Sequence, residues 1–150
     1  MTGSQSATSP EWSALRTLIG SADFVPAAID RLLSATTDAD AAAAYWELDN
    51  RVVVQGQLFE AAEAVARELV ARICSYDVSL PGLSMALDLL VEFAYGDADA
   101  SEVAAGNPDL GARCRDEIRK GMHCLRSSAD SGDDRAQAAI RDLTDRLGSA

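Results

Sequence analysis

Three observations predict an all-α fold for this chain. Apolar residues recur at three- and four-residue spacing through most of its 150 positions, no segment alternates with the two-residue period of a half-buried strand, and the only β-branched cluster is Val52-Val53-Val54. The expected arrangement is six or seven antiparallel helices joined by short loops. They form one α-helical domain over residues 10–150 behind a flexible tail at residues 1–9, since the length is close to that of a typical single domain.

The elements follow in chain order. Ser9-Pro10-Glu11 reads as a cap, a proline in the first turn and an acidic start, which predicts a first helix burying Trp12, Leu15, Leu18 and Ile19 and stopping at Gly20. A short second helix follows Pro26 with Ile29, Leu32 and Leu33 inward, ending in the turn from Ser34 to Thr37. Thr37 or Asp38 caps a third helix with inner positions Ala41, Tyr45, Leu48 and Val52, and Gly56 closes it within a residue or two. A fourth helix from Gln57 to about Cys74 carries Leu58, Ala62, Val65, Leu69 and Ile73 on one stripe; Phe59, Ala66 and Val70 widen it, so it needs neighbours on two sides. After the turn Ser79-Leu80-Pro81-Gly82, a fifth helix ending at Gly96 is apolar enough to be central. An acidic loop from Asp97 to Pro108 precedes a sixth helix defined by Leu110, Cys114, Ile118, Met122 and Leu125. Gly121 within it costs about 1 kcal/mol relative to alanine, which close approach of another helix would justify. Ser131-Gly132-Asp133 breaks the chain, and Ala136, Ile140, Leu143 and Leu147 define the last helix.

Charge is concentrated in the middle of the chain. Residues 36–107 carry thirteen acids against three arginines, whereas residues 108–150 carry eight of each, so the middle holds −10 of the net −11. A field of that sign repels phosphate backbones, which excludes nucleic acid as a partner and favours a protein with a basic surface. No apolar run approaches the roughly 18 residues that span a bilayer, and the polar start Met1 to Ser9 lacks the pattern of a signal peptide, so no membrane role and a cytoplasmic location are expected. Cys74, Cys114 and Cys124 are odd in number and lie in apolar-patterned stretches, which predicts reduced core thiols.

Catalytic and cofactor-binding patterns are absent from the sequence. Positions 114, 123 and 124 are splayed around the sixth helix at about 100° per residue, so Cys114, His123 and Cys124 do not converge on a metal ion. His123 is the sole histidine and no nucleophile motif surrounds it. Glu60-x-x-Glu63 matches only half of the magnesium-binding pattern of helical nucleotide pyrophosphohydrolases, because no glutamate is followed three positions later by aspartate. Asp88 and Glu92 share a helix face four residues apart, the spacing of a solvated surface or of a hard-cation site. No glycine-rich phosphate loop is present, and no cofactor is expected.

Trp46 stands apart from the other helical aromatics. Tyr45 and Leu48 define the inner stripe of the third helix, so Trp46 points about 100° away, toward a flank shared with Asn50 and Val53. Rimmed by Glu47 and Asp49, it suits an interaction anchor as well as packing against the first helix. Asp49 and Asn50 also read as residues that turn the helix end.

The stretches Tyr45-Trp46-Glu47-Leu48-Asp49-Asn50 and Val54-Gln55-Gly56-Gln57-Leu58-Phe59-Glu60-Ala61-Ala62 resemble small bacterial HEAT-like (armadillo-type) repeat proteins. Cys114-Arg115, Gly121 and the turn Asp133-Asp134-Arg135 are similar too, so the likeness runs loosely over residues 40–148 and more closely over 45–62. The resemblance implies stacked helical hairpins that present a ridge or groove to a partner. No fixed period of about 40 residues aligns by eye, which leaves an irregular bundle as the alternative architecture.

These readings combine into one functional expectation. It is a non-enzymatic protein-binding module, with an immunity- or inhibitor-type protein as one form of it, that meets a basic partner through Trp46, Glu47, Asp49, Asn50, Glu60 and Glu63. The alternative is a small-molecule- or cation-binding protein, or a hydrolase, with a carboxylate-lined pocket between the fourth and fifth helices. The oligomeric state is left open.

Overall fold

The computed structural model describes residues 10–75, 78–130 and 132–148. Within them the chain is mostly helical, with helices α1 (Val25–Leu33), α2 (Asp38–Val52), α3 (Ala61–Ser75), α4 (Leu80–Tyr95), α5 (Ala100–Ala104), α6 (Leu110–Ala129) and α7 (Asp134–Leu147). The expected tail at residues 1–9 lies outside the described residues.

Helix starts follow their capping chemistry. The Thr37 hydroxyl accepts a hydrogen bond from the Asp40 amide at 3.1 Å, and Asp38 and Asp40 in the first turn of α2 oppose Arg51 in its last, matching the helix dipole. Ser79 caps α4 through the Gly82 amide, Asp99 caps α5 through Ser101, and Asp133 caps α7 through Ala136. Ala41, Tyr45, Leu48 and Val52 of α2 are buried, as their spacing requires.

The fifth predicted helix, α4, is the hub. It is buried nearly all round, through Leu83, Met85, Leu87, Leu89, Leu90 and Phe93 among others, and it packs on α1, α2, α3, α6 and α7. The broadest of the other helix contacts are α3 on α6 and α1 on α2. Gly121 sits in the first of these, where a Cβ would overlap Val70 Cγ1 of α3; its missing side chain is what lets the two helices approach.

Three features depart from the sequence reading. The first predicted helix does not form: Trp12–Ala14 make one 3-10 turn, and the chain then folds back through a bridge between Arg16 and Ser21 around Gly20 at φ +76°. Leu18 and Ile19, expected inside, are exposed, Ile19 by 75%. The reason is tertiary. The Leu18 amide donates to the Arg51 carbonyl at the end of α2, and the Arg16 carbonyl accepts from the Ala61 amide at the start of α3. The segment thus satisfies orphan groups of two helix ends, in place of its own helical hydrogen bonds.

Secondly, Gln57-Leu58 is not the start of a helix. Val53–Val54 (β1) and Gln57–Leu58 (β2) form a tight antiparallel hairpin, in which Gln55 and Gly56 both take positive φ, 51° and 79°. The β-branched run of residues 52–54 followed by a turn ending in glycine is hairpin chemistry. Asp97–Ala98 (β3) adds in parallel to β2, so the acidic loop also holds a strand and the short α5.

Thirdly, Cys74 and Cys124 are joined in a disulfide with Cα atoms 5.8 Å apart, which corrects the expectation of three reduced core thiols. Neither belongs to an inner stripe: Cys74 lies on the exposed side of Ile73, and Cys124 on the flank of Leu125. The bridge staples α3 to α6 at the rim of their interface. Cys114 alone is the free, buried thiol, and burial pushes it up to about 12.

Candidate functional site

The six residues expected to meet a partner fall into two groups. Trp46, Glu47, Asp49 and Asn50 lie on α2, whereas Glu60 and Glu63 lie at the start of α3.

On α2, Ala39, Ala43, Trp46 and Asn50 are four, three and four residues apart, follow one line along the helix and are all exposed. Trp46 is 54% exposed, and its ring stands edge-on to Tyr45 with centroids 5.2 Å apart. Asp38 flanks this strip on one side and Asp40 and Glu47 on the other. Glu47 is paired with Arg31 of α1. Val53, expected to share the flank, is buried within β1.

Asp49 corrects the sequence reading, because it is 9% exposed and does not form the rim of Trp46. It lies four residues after Tyr45 and one after Leu48, which turns it toward the inner stripe and against α4. Along the same seam the Tyr45 hydroxyl donates to Oε2 of Glu92 on α4. Oδ1 of Asp49 is buried without a hydrogen-bond partner. Burial, and after it the neighbouring Glu92 carboxyl, push Asp49 up to about 7. Burial and then the bond to Glu92 raise the Tyr45 phenol as well. Asp88, one turn before Glu92, accepts a hydrogen bond from Arg135 of α7 at 2.6 Å; burial still outweighs that cation and raises it. The pair that the sequence presents as a solvated face is thus divided between two environments.

Glu60 and Glu63 do not form an acidic surface. The Glu60 carboxylate accepts from the Arg16 amide at 2.9 Å and lies 3.4 Å from its guanidinium, while Glu63 accepts from Arg113 Nε at 2.9 Å and pairs with Arg67 at 3.1 Å. In each pair the carboxylate is the more buried partner, so the cations face solvent. Two adjoining cavities of about 420 and 450 Å³ meet at Glu63 and Arg113, one running toward Arg16 and Asn107, the other toward Arg119 and Lys120.

Beneath this cleft lies Glu102, 1% exposed and overlooked by the sequence reading. Arg16 grips it bidentately, Nε to Oε2 at 3.1 Å and Nη2 to Oε1 at 2.7 Å, and Asn107 donates to it at 3.2 Å. Burial opposes its charge, but these hydrogen bonds and the Arg16 charge prevail and hold it below the usual carboxylate range. No local pattern marks Glu102, because its cation is 86 positions away.

Among the described residues no three acidic, cysteine or histidine side chains are placed to hold a metal ion, and no helix is long and apolar enough to cross a membrane. The fold defines the class, an all-α fold that carries, among the described residues, an exposed tryptophan strip and a charge-paired cleft. Comparison with family models, curated proteins and solved structures finds no match.

Proposed function

We propose that this chain is a non-enzymatic, HEAT-like protein-interaction module that binds a partner through the strip Ala39, Ala43, Trp46 and Asn50 on α2. The observation that carries the reading is Trp46. A tryptophan 54% exposed, on a line of alanines and between acidic rims, offers a large apolar anchor on a surface smooth enough for a helix or loop to lie against. The rim acids Asp38 and Asp40 favour a partner with basic residues around an apolar centre, while Glu47 on the same rim is shared with Arg31. Glu60 and Glu63 are left out of this surface because they lie at the start of another helix, at the charge-paired cleft.

The test is capture of partners from the host's own lysate on wild-type protein and on Trp46→Ala, at low and high salt. A protein retained by wild type and lost with Trp46→Ala supports the reading, and one retained equally by both overturns it. The cavities at Glu63 and Arg113 favour a second reading, a small polar ligand in the charged cleft, which a ligand screen by thermal shift would reveal as raised stability. The Cys74–Cys124 bridge bears on location. Such bridges persist where thiols are not kept reduced, so it favours an oxidising compartment over the cytoplasm.

A further inference from the structure

Three arginines from distant parts of the chain line the cavity of about 420 Å³: Arg16 of the first segment, Arg67 of α3 and Arg113 of α6. Shared partners bring them together. Arg67 and Arg113 both donate to Glu63, to Oε2 at 3.1 Å and to Oε1 at 2.9 Å, so their guanidinium groups sit on one carboxylate. Asn107 ties Arg113 to Arg16. Its side-chain oxygen accepts from Arg113 Nη2, and its amide donates at 3.2 Å to the same Glu102 oxygen that Arg16 Nη2 reaches.

The pairing has a direction. The side chains of Glu102, Glu117 and Glu63 are 2%, 12% and 24% exposed, against 40–50% for the three arginines they hold. A cation entering the cavity meets guanidinium groups before it meets carboxylates, whereas an anion meets N–H donors. Each guanidinium carries five of them. The contacts to Glu63, Glu117 and Asn107 use Nη2 of Arg67 and Nε and Nη2 of Arg113, so Nη1 of both arginines and Nε of Arg67 have no hydrogen-bond partner among the described residues. Because shielded carboxylates already hold the arginines in place, a ligand is spared the entropy of ordering three long side chains.

We propose that this cavity binds a small phosphate monoester, with its terminal oxygens on Arg67 and Arg113, Arg16 beside them, and its organic group against Leu15 and Ala64. The three terminal oxygens of a dianion match donors arriving from three guanidinium groups, whereas a lone carboxylate offers two. A cavity of about 420 Å³ is of the size that holds a small organic molecule rather than a bare ion. A Cβ on Gly106 in its wall would meet nothing within 4 Å, which leaves open space there. The net charge of −11 opposes an anion at long range, but ordinary salt screens that field beyond about 8–10 Å, and the arginines act inside this distance. The inference rests on the reading of the cleft as a ligand site and names the chemistry of that ligand.

The experiment is calorimetric titration of the full chain with phenyl phosphate, inorganic phosphate and sulfate at constant ionic strength, repeated on Arg67→Gln and Arg113→Gln. Phenyl phosphate should bind wild type more tightly than either inorganic anion, and each variant should weaken it about tenfold or more. Both variants should fold, because Glu63 keeps one of its two arginines in each and Glu117 keeps Lys120. Phenyl phosphate that fails to bind wild type, or that binds both variants equally well, overturns the proposal. A thermal-shift screen of neutral and cationic compounds of similar size separates the two ways of failing. If phosphates are inert and such a compound raises Tm in wild type but not in Arg113→Gln, the phosphate proposal is overturned while the cleft still binds a ligand; if nothing raises Tm, the reading of the cleft falls with it.

Discussion

Breaking the bridge between Cys74 and Cys124 should cost more stability than any single apolar truncation at the surface, and the cost can be worked from the loop it closes. The two cysteines are 50 positions apart. For a loop of that length, the entropy withheld from the unfolded chain corresponds to about 4 kcal/mol at 25 °C. In a domain of this size each kcal/mol moves Tm by about 2–4 °C, so reduction should lower Tm by about 8–16 °C. The fold should survive, because Leu69, Ile73, Ile118, Met122 and Leu125 keep α3 and α6 buried against their neighbours without the bridge. The assay is thermal unfolding followed by circular dichroism, with and without reductant, and with Cys74→Ser. Thiol counting supplies an independent readout: oxidised protein unfolded in denaturant should react at Cys114 alone, and folded protein should react slowly, since that thiol is buried and sits at about 12. Three reactive thiols in the unreduced protein, or a Tm that neither reductant nor Cys74→Ser moves, would refute the reasoning.

Two further changes test the packing and the buried charge. Gly121→Ala should destabilise by about 1–3 kcal/mol through overlap with Val70, less up to about 1 kcal/mol regained in helix propensity, and a rise in the urea midpoint would contradict the close α3–α6 approach. Arg16→Ala strands Glu102 in the interior and should cost about 1–3 kcal/mol, at the low end for a buried pair because half of Arg16 is solvated. The same pair carries a pH signature. Glu102 is held below its unfolded value, so its stabilisation is present above the ordinary carboxylate range and is lost as pH falls through the lowered value. Arg16→Ala should therefore flatten the acid limb of the stability curve, and an unchanged limb would show that Glu102 draws little from Arg16.

Much of the helical framework was legible because its signals are local. Thr37, Ser79 and Asp133 announce helix starts, the all-round apolar pattern of residues 83–94 identifies the hub, and Gly121 marks a close contact. The first segment misled because Leu15, Leu18 and Ile19 have helical spacing while the Leu18 amide goes to Arg51 and the Arg16 carbonyl to Ala61, partners that no local window contains. The hairpin at residues 53–58 was legible in principle from Val52-Val53-Val54 and Gln55-Gly56, but the apolar spacing of Leu58, Ala62 and Val65 extends the helix pattern backward over it. At the candidate site, the spacing gave Trp46 its outward direction, and the same arithmetic carried one step further would have turned Asp49 inward. The neutralisation of Glu60 and Glu63 was out of reach, since Arg16 and Arg113 lie 44 and 50 positions away. The disulfide was missed because counting cysteines treats them alike, whereas their places on the helix faces differ.

The clasp of Arg16 on Glu102 also sets an order of events during synthesis. Everything through the end of α4 can be made before the carboxylate exists that Arg16 needs, so the nascent N-terminal segment must wait for 86 further residues before its guanidinium is engaged. Until then the segment is tied to the helix ends only through the Leu18–Arg51 and Ala61–Arg16 backbone hydrogen bonds, without the ion pair that anchors its side chain. A ribosome stalled short of residue 102 would hold a chain whose first segment still lacks this anchor, and a protease acting there should cut between Pro10 and Ala22 more readily than once α5 has emerged.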